Sequence, residues 1–331
     1  MKVVLDAVYN HTGREFFAFA DILENGEKSK YRDWYFIDGF PLKSEWGEIP
    51  NFKCFGYYGG MPKLNLKNPE VEKFITDVAC YWIRECDIDG WRMDVGDEIS
   101  HFFWKNFRKA VKAVKKDMLI IGEIWHYAGD FLEGDEWDTV MNYPFYLNLI
   151  DLLADEKITV SQFIQNLGYL KGRLNKKCYP LMWNLIDSHD TARFLHLCKN
   201  NKKKQHLAAA FQLLLPGMPM IYYGDEYAMP GANDPDCRRG MYWDEEYQDK
   251  EMFEWYKQLL QVRKKYKCIV EGELIEAITG DEEETIVLIR KNSEETMALI
   301  FNCSSSAKKF NEYTQKYNLL TENTFDGNVE G

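Results

Sequence analysis

Three acidic residues follow short apolar segments of the kind that form buried strands. Asp94 comes directly after GWRM, Glu123 directly after LIIG, and Asp190 shortly after PLMWNLI. Carboxyl groups exchange protons and act as nucleophiles, and parallel barrels place their active sites at the carboxyl ends of their strands. One acid in such a position is common by chance. Three of them, accompanied by Arg92 and His189, predict a catalytic site.

The elements that would position these acids alternate between strands and helices. Short connections between them indicate parallel βαβ units. A closed parallel barrel takes eight strands, each followed by a helix. Because only six strand segments occur, the sequence predicts an α/β protein: a (β/α)8 TIM barrel from which two strands are absent. The six segments are KVVLDA, GWRMDV, MLIIGEI, DTVMN, PLMWNLI and MPMIYYG.

The predicted domain organisation has two parts. Residues 1–267 form the partial barrel, and the long stretch after the first strand, rich in Gly, aromatic and acidic residues, predicts an inserted subdomain over about residues 12–67. Beyond Cys268 the segments ETIVLIRK and ETMALIFN indicate antiparallel strands. We therefore expect a small β-sandwich domain over residues 268–331, complete or lacking its final strand.

Composition argues against several classes of partner. The chain has 331 residues and a formal charge of −12, from 41 basic and 53 acidic residues. The densest basic stretch, Asn200 to Lys204, is interpreted as the solvated start of a helix, so neither nucleic acid nor an anionic membrane is expected as a partner. The eight cysteines include no CxxC pair, which argues against a zinc site or a disulfide scaffold and favours a cytoplasmic protein.

Four segments resemble the signature regions of the α-amylase superfamily, glycoside hydrolase family 13. They are DAVYNH (6–11), GWRMD (90–94), GEIWH (122–126) and DSHD (187–190), in the order that the family shows. MPKLN (61–65) resembles a fifth region as it occurs in the cyclomaltodextrinase, neopullulanase and maltogenic amylase subgroup, and GMPMIYYGDE and NDPDCRRGM resemble the stretch that follows. The resemblance covers roughly residues 1–266 and implies that an amino-terminal portion is missing, so that the (β/α)8 barrel lacks its first two strands.

The resemblance implies a retaining double displacement at an α-glucosidic bond. Asp94 would be the nucleophile, kept ionised by Arg92, and Asp6 would support Arg92 from the neighbouring strand. Glu123 would be the general acid and then the base, for which it needs a pKa raised by burial and nearby carboxylates.

Other site residues follow from the same resemblance. Asp190 would bind ring hydroxyls of the distorted sugar, and His11 and His189 would hold further hydroxyls in the same subsite. Asn10 corresponds to a calcium-binding position of many α-amylases, often not used in this subgroup, so neither a metal nor a cofactor is predicted. Three aromatic residues are candidates for stacking on glucose units: Trp125, Tyr57 and Tyr58.

The implied substrates are cyclomaltodextrins, maltooligosaccharides or pullulan, with cleavage of α-1,4 bonds. Val95 resembles members that also accept α-1,6 bonds, whereas Asp97 stands where relatives commonly carry Asn. Transfer to a sugar acceptor instead of water is an open alternative. Another is an inactive or split-gene fragment that retains at most carbohydrate binding. Full-length relatives form homodimers, and α-glucan oligosaccharides are the expected partners.

Overall fold

Six short strands coincide with the six predicted segments. The computed structural model describes residues 1–43, 47, 49–313, 317, 318, 320, 323, 324 and 328–330. The strands are Val4–Ala7 (β1), Gly90–Met93 (β2), Leu119–Gly122 (β3), Thr139–Val140 (β4), Trp183–Asn184 (β5) and Met218–Pro219 (β6). One sheet has the order β1-β2-β3-β4, β5 pairs with β6, and every one of these pairs is parallel. The α/β architecture is thereby confirmed, while the absence of two barrel strands stays a prediction.

The register of the first sheet brings its functional strand ends together. Asp6 lies opposite Arg92, and Met93 lies opposite Gly122. A Cβ atom on Gly122 would collide with the ring of Trp137, so only glycine lets this buried indole pack against β3. Asp94 and Glu123 therefore follow neighbouring strands at one edge of the same sheet.

Helices connect the strands, and several begin at residues that the sequence indicates. The side chain of Asn68 accepts a hydrogen bond from the N–H of Glu70, with Pro69 in the first turn, and Ser100 caps the next helix in the same manner. The α-helices are Phe17–Asn25 (α1), Pro69–Cys86 (α2), His101–Val114 (α3), Tyr143–Leu149 (α4), Val160–Arg173 (α5), Phe194–Leu197 (α6), Lys202–Leu214 (α7), Lys250–Lys265 (α8) and Cys268–Glu271 (α9).

Helix α1 lies in the stretch between β1 and α2, whose sequence shows no sustained helical period. With nine residues it is too short to display one. Tertiary packing supplies the missing stability, since Phe19 is fully buried and its ring lies 5.0 Å from Tyr35 and 5.2 Å from Phe52. Whether residues 12–67 form a separate subdomain stays a prediction.

The carboxy-terminal part contains the predicted antiparallel sheet. Its strands are Glu273–Gly280 (β7), Thr285–Lys291 (β8) and Thr296–Asn302 (β9), paired in that order. Phe301 is buried and stacks on Phe211 of α7 at 4.3 Å. Four two-residue strands follow and form two further antiparallel pairs: Lys308–Lys309 (β10), Tyr317–Asn318 (β11), Asn323–Thr324 (β12) and Asn328–Val329 (β13). The proposed domain boundary at residue 268 stays a prediction.

The chain forms two compact units that are described separately. The first contains Met1–Ile124 and Ala128–Met141, and the second contains Trp125–Tyr127 and Asn142–Gly331. Among the described residues, no helix combines the length and the apolar character needed to cross a membrane.

Candidate active site

Arg92 connects three carboxylates in the first unit. Its Nη1 donates hydrogen bonds to Oδ1 of Asp94 at 2.7 Å and to Oδ1 of Asp6 at 2.9 Å, and its Nη2 lies 2.8 Å from Oε1 of Glu123. Burial disfavours the guanidinium charge, but Glu123 and Asp6 outweigh it and raise the pKa of Arg92 above its ordinary value. The guanidinium is therefore permanently charged and contacts Asp94 through one nitrogen and Glu123 through another.

The backbone after Asp94 takes part in the same arrangement. Val95 has φ 46°, in the left-handed region that a β-branched residue rarely adopts. Its N–H donates a hydrogen bond to Oε2 of Glu123 at 3.0 Å. The strained turn thus holds the second carboxyl oxygen of Glu123, whose side chain is only 5% exposed. Backbone strain of this kind is common at functional sites.

His11 and Asn10 lie at the end of β1. Burial lowers the pKa of His11, against the opposing influence of Asp94 and Glu98, so the imidazole is neutral at neutral pH and can accept a hydrogen bond as well as donate one. The His11 ring stacks on Phe55 at 5.2 Å. The side-chain nitrogen of Asn10, a fully buried residue, lies 3.3 Å from Oε2 of Glu98.

A lysine lies close to Asn10, the position that binds calcium in many α-amylases, because both residues contact Glu98. Nζ of Lys63, in MPKLN, lies 2.6 Å from Oε2 of Glu98 and 3.2 Å from its carbonyl oxygen. Glu98 is thus already paired with a cation. Within the described part of the chain, no group of three His, Cys, Asp or Glu side chains is arranged to hold a metal ion.

The three candidate stacking residues are exposed to different degrees. Tyr57 is 94% exposed and Tyr58 46% exposed, both in the first unit. In the second unit, Trp125 is 40% exposed and lies parallel to Tyr143, with ring centroids 4.0 Å apart. Trp125 therefore presents one aromatic face on a fixed support.

Asp190 and His189 lie in the second unit, where Arg238 contacts both. Nη2 of Arg238 donates to Oδ1 of Asp190 at 3.0 Å, and its Nε donates to the carbonyl oxygen of His189 at 2.9 Å. Nε2 of His189 lies 3.2 Å from Oδ2 of Asp190. Sequence reasoning quoted Arg238 within NDPDCRRGM without giving it a role, although two consecutive arginines in an acidic loop were a signal for an ion-pair network.

Two buried carboxyl groups form a second feature that sequence reasoning missed. Asp187 and Asp225 are each 1% exposed, and Oδ1 of Asp187 and Oδ2 of Asp225 are buried without a hydrogen-bond partner among the described residues. Burial raises the pKa of Asp187 to about 6 and that of Asp225 well above its ordinary value. Arg193 lies 3.2 Å from Asp225, and the N–H of Phe194 donates to Asp187 at 2.7 Å.

The family is identified by comparison with known proteins. The model of the α-amylase catalytic domain matches residues 1–247, three quarters of the chain, which include every candidate site residue of the sequence analysis. The chain belongs to the α-amylase family. The predicted resemblance is thereby confirmed.

Several α-amylase relatives carry the names of the predicted subgroup. The chain is 45% identical to a cyclomaltodextrinase of Geobacillus thermopakistaniensis and 41% identical to neopullulanase 2 of Thermoactinomyces vulgaris, covering 93% and 91% of this chain and 52% and 51% of those proteins. A solved cyclomaltodextrinase superposes with a TM-score of 0.90 at 39% identity, over 93% of this chain and 53% of that one. The chain thus spans about half the length of these relatives.

A solved structure of a different specificity also matches this α-amylase chain. It is the cyclic α-maltosyl-(1→6)-maltose hydrolase of Arthrobacter globiformis, in complex with that cyclic sugar, with a TM-score of 0.88 and 34% identity over 94% of this chain and 69% of that one. The fold is therefore that of TIM-barrel α-amylase enzymes.

Proposed function

We propose that this chain is the catalytic core of a retaining glycoside hydrolase that cleaves α-1,4 glucosidic bonds in cyclomaltodextrins and short maltooligosaccharides. The observation that carries the proposal is the contact of Arg92 with both Asp94 and Glu123. One guanidinium holds the two carboxyl groups close together. Their surroundings differ, since the side chain of Asp94 is more exposed to solvent than that of Glu123, which is nearly enclosed.

The proposed first step transfers a glucosyl group to Asp94. A carboxylate oxygen of Asp94 attacks the anomeric carbon while the bond to the leaving oxygen breaks, and that oxygen takes a proton from the carboxyl group of Glu123. In the second step Glu123 removes a proton from water, the water oxygen attacks the anomeric carbon, and the ester bond to Asp94 breaks. Two inversions leave the product with its original α configuration.

The remaining candidate residues are assigned supporting roles. We assign Asp6 to orienting Arg92. Asp190, His11 and His189 would bind hydroxyl groups of the sugar ring at the cleaved bond, and Arg238 would hold Asp190. Three aromatic residues would stack on neighbouring glucose units: Trp125, Tyr57 and Tyr58.

The substrate class is inferred from the names of relatives that share 41–45% identity with the chain, among them cyclomaltodextrinases and a neopullulanase. Val95, which resembles the residue of members that also accept α-1,6 bonds, supports α-1,6 cleavage as a second activity. A Bacillus subtilis relative, 41% identical, is called an intracellular maltogenic amylase, which supports a cytoplasmic location. Transfer to sugar acceptors belongs to the same proposal, because a sugar hydroxyl can replace water in the second step.

The test is hydrolysis of β-cyclodextrin and maltotriose by the purified 331-residue chain, with a sizing column to identify a folded species. Proton NMR at early times reads the configuration of the new reducing end, and α product is expected. Added glucose should yield longer oligosaccharides if transfer occurs. A β product would contradict the mechanism. A folded chain that binds these sugars without cleaving them would favour the alternative of a fragment with carbohydrate binding alone.

A further inference from the structure

Arg173 lies between two tyrosine rings on the surface of the second unit. Its guanidinium carbon is 4.0 Å from the ring centroid of Tyr127 and 5.3 Å from that of Tyr169. Nη1 donates to the hydroxyl of Tyr169 at 3.3 Å, and the hydroxyl of Tyr127 donates to the carbonyl oxygen of Arg173 at 2.8 Å. We call these three residues the Arg173 cluster.

The cluster is ordered although it is exposed. Tyr169 and Arg173 are four residues apart on α5 and therefore lie on one face of the helix. The hydroxyl of Tyr127 satisfies a carbonyl group in the last turn of α5, one of those that helix geometry leaves unpaired. Tyr169 is nevertheless 67% exposed. Two tyrosines and an arginine are thus held in place without being enclosed.

The charge of Arg173 is not used in an ion pair. Within the described residues no carboxylate lies in salt-bridge distance of its guanidinium, although the protein carries an excess of acids. An arginine side chain has five N–H donors. In the part of the chain that the structure describes, only the hydroxyl of Tyr169 accepts a hydrogen bond from the Arg173 guanidinium. The cluster therefore combines an aromatic surface with unused, planar hydrogen-bond donors.

These properties fit a sugar ring. Aromatic faces pack against the apolar face of a pyranose, and a planar guanidinium can donate to two adjacent hydroxyls. Tyr127 lies four residues after Glu123 and two after Trp125 in the sequence. We propose that the Arg173 cluster is an outer binding site for a glucose unit of an α-glucan, used by chains longer than those that fill the cleavage site. The inference rests on the proposed function.

The experiment measures binding without turnover. The full chain with Asp94→Asn is titrated calorimetrically with maltotriose and with maltohexaose, alone and combined with Tyr169→Ala or Arg173→Lys. Both cluster variants should weaken maltohexaose binding about 5- to 20-fold and change maltotriose binding less than twofold. Arg173→Lys keeps the charge and loses the planar donors, so it separates stacking and donor geometry from simple electrostatics.

Tyr81→Ala is the matched control, because Tyr81 is 54% exposed on α2 in the first unit. Its affinity for both sugars should equal that of the parent. Equal maltohexaose affinity in the cluster variants and in the control would overturn the outer site while leaving the proposed function intact. Absence of binding to either sugar by the folded parent would contradict both. Competition of maltohexaose with millimolar inorganic phosphate, abolished by Arg173→Lys, would identify an anion site and also overturn the inference.

Discussion

At the scale of single residues, the site depends on one cation serving three acids. Arg92 contacts Asp6, Asp94 and Glu123, so the cluster keeps an excess of two negative charges when all three are ionised. When Glu123 carries the proton that the proposed first step needs, one negative charge remains in excess, which suits a reaction in which positive charge develops on the sugar. Replacing Asp6, Asp94 or Glu123 should therefore affect activity to different degrees.

The first prediction concerns Asp94. Asp94→Asn preserves shape and hydrogen bonding but removes the nucleophile, so kcat on maltotriose should fall by several orders of magnitude with little change in thermal stability. Asp97→Asn is the matched control, since it makes the same substitution three residues further on, and we expect activity within a fewfold of the parent. Near-normal turnover by Asp94→Asn would exclude the proposed mechanism.

Arg238 is expected to act as a positioning residue. It donates to Asp190 and to the backbone of His189, so Arg238→Gln should leave Asp190 less well oriented and lower kcat about 10- to 100-fold. Arg239→Gln provides the comparison, because Arg239 pairs with Asp236 instead. Steady-state kinetics on both variants decide the matter. A change confined to KM, or an equal loss in Arg239→Gln, would argue against this role.

Sequence predicts candidate residues most directly where an acid follows a strand. Asp94 and Glu123 are candidates because each follows a buried apolar run, and in the structure Arg92 contacts both. The contact of Arg238 with Asp190 joins residues 48 positions apart in irregular segments. No local periodicity predicts such a pair, because it arises only when the two loops have folded.

At the scale of elements, buried polar contacts hold the segment that follows β5, from Asp187 to Phe194, in place. Asp187 and Asp225 are both buried, and Arg193 lies beside Asp225 with only 1% of its side chain exposed. Removing the arginine leaves the negative charge of these two acids uncompensated inside the protein, at a cost of about 3–5 kcal/mol. Arg193→Met should therefore lower the free energy of unfolding by about that amount, measured by urea denaturation, whereas Arg239→Met should change it by less than about 0.5 kcal/mol.

The same pair predicts a dependence of stability on pH. Because burial raises the pKa of Asp187 to about 6 from an unfolded value near 3.8, the folded state binds more protons between these pH values. The contribution to stability is complete below pH of about 4 and is lost as the pH rises through about 6. Arg193 is the other titratable group that acts on these two acids, and it lowers the pKa of both. The acids in turn raise the pKa of Tyr256, and Asp187 raises that of Tyr146.

Urea denaturation at several pH values between 4 and 7 tests this dependence. Asp187→Asn removes the titrating group, so its unfolding free energy should fall less over this range than that of the parent. Asp151→Asn replaces an exposed aspartate of the same unit and should follow the parent curve. Parallel curves for the parent and Asp187→Asn would show that the pair does not titrate as described.

Sequence patterns predicted elements unevenly. Helices α2 and α3 begin where Asn68-Pro69 and Ser100 indicate, because caps are local signals. In contrast, the seven-residue run PLMWNLI contributes only Trp183–Asn184 to a strand. An apolar run indicates that a segment is buried. How many of its residues form strand hydrogen bonds depends on the neighbouring strands of the sheet.

At the scale of the whole molecule, the second unit has an apolar cavity that opens to solvent. A cavity of about 580 Å³ lies along α8, lined by Ile221, Tyr223, Phe253, Tyr256 and Leu260 together with charged residues at its margin. Trp243 is 81% exposed in the same unit. Exposed apolar side chains are removed from water when two copies associate, which favours association.

We therefore expect the 331-residue chain to associate as its concentration rises, with the apolar cavity as the contact. Leu260→Glu places a charge at that cavity, on a helix that tolerates glutamate, and should shift the sedimentation distribution toward the monomer. Leu23→Glu makes the same change at a helical leucine of similar exposure in the first unit and should leave the distribution unchanged. Equal association of both variants would place the contact elsewhere. If Leu260→Glu became monomeric and kept full activity on maltotriose, association would cover apolar surface without completing the active site. If the monomeric variant lost activity, the neighbouring copy would be required for catalysis.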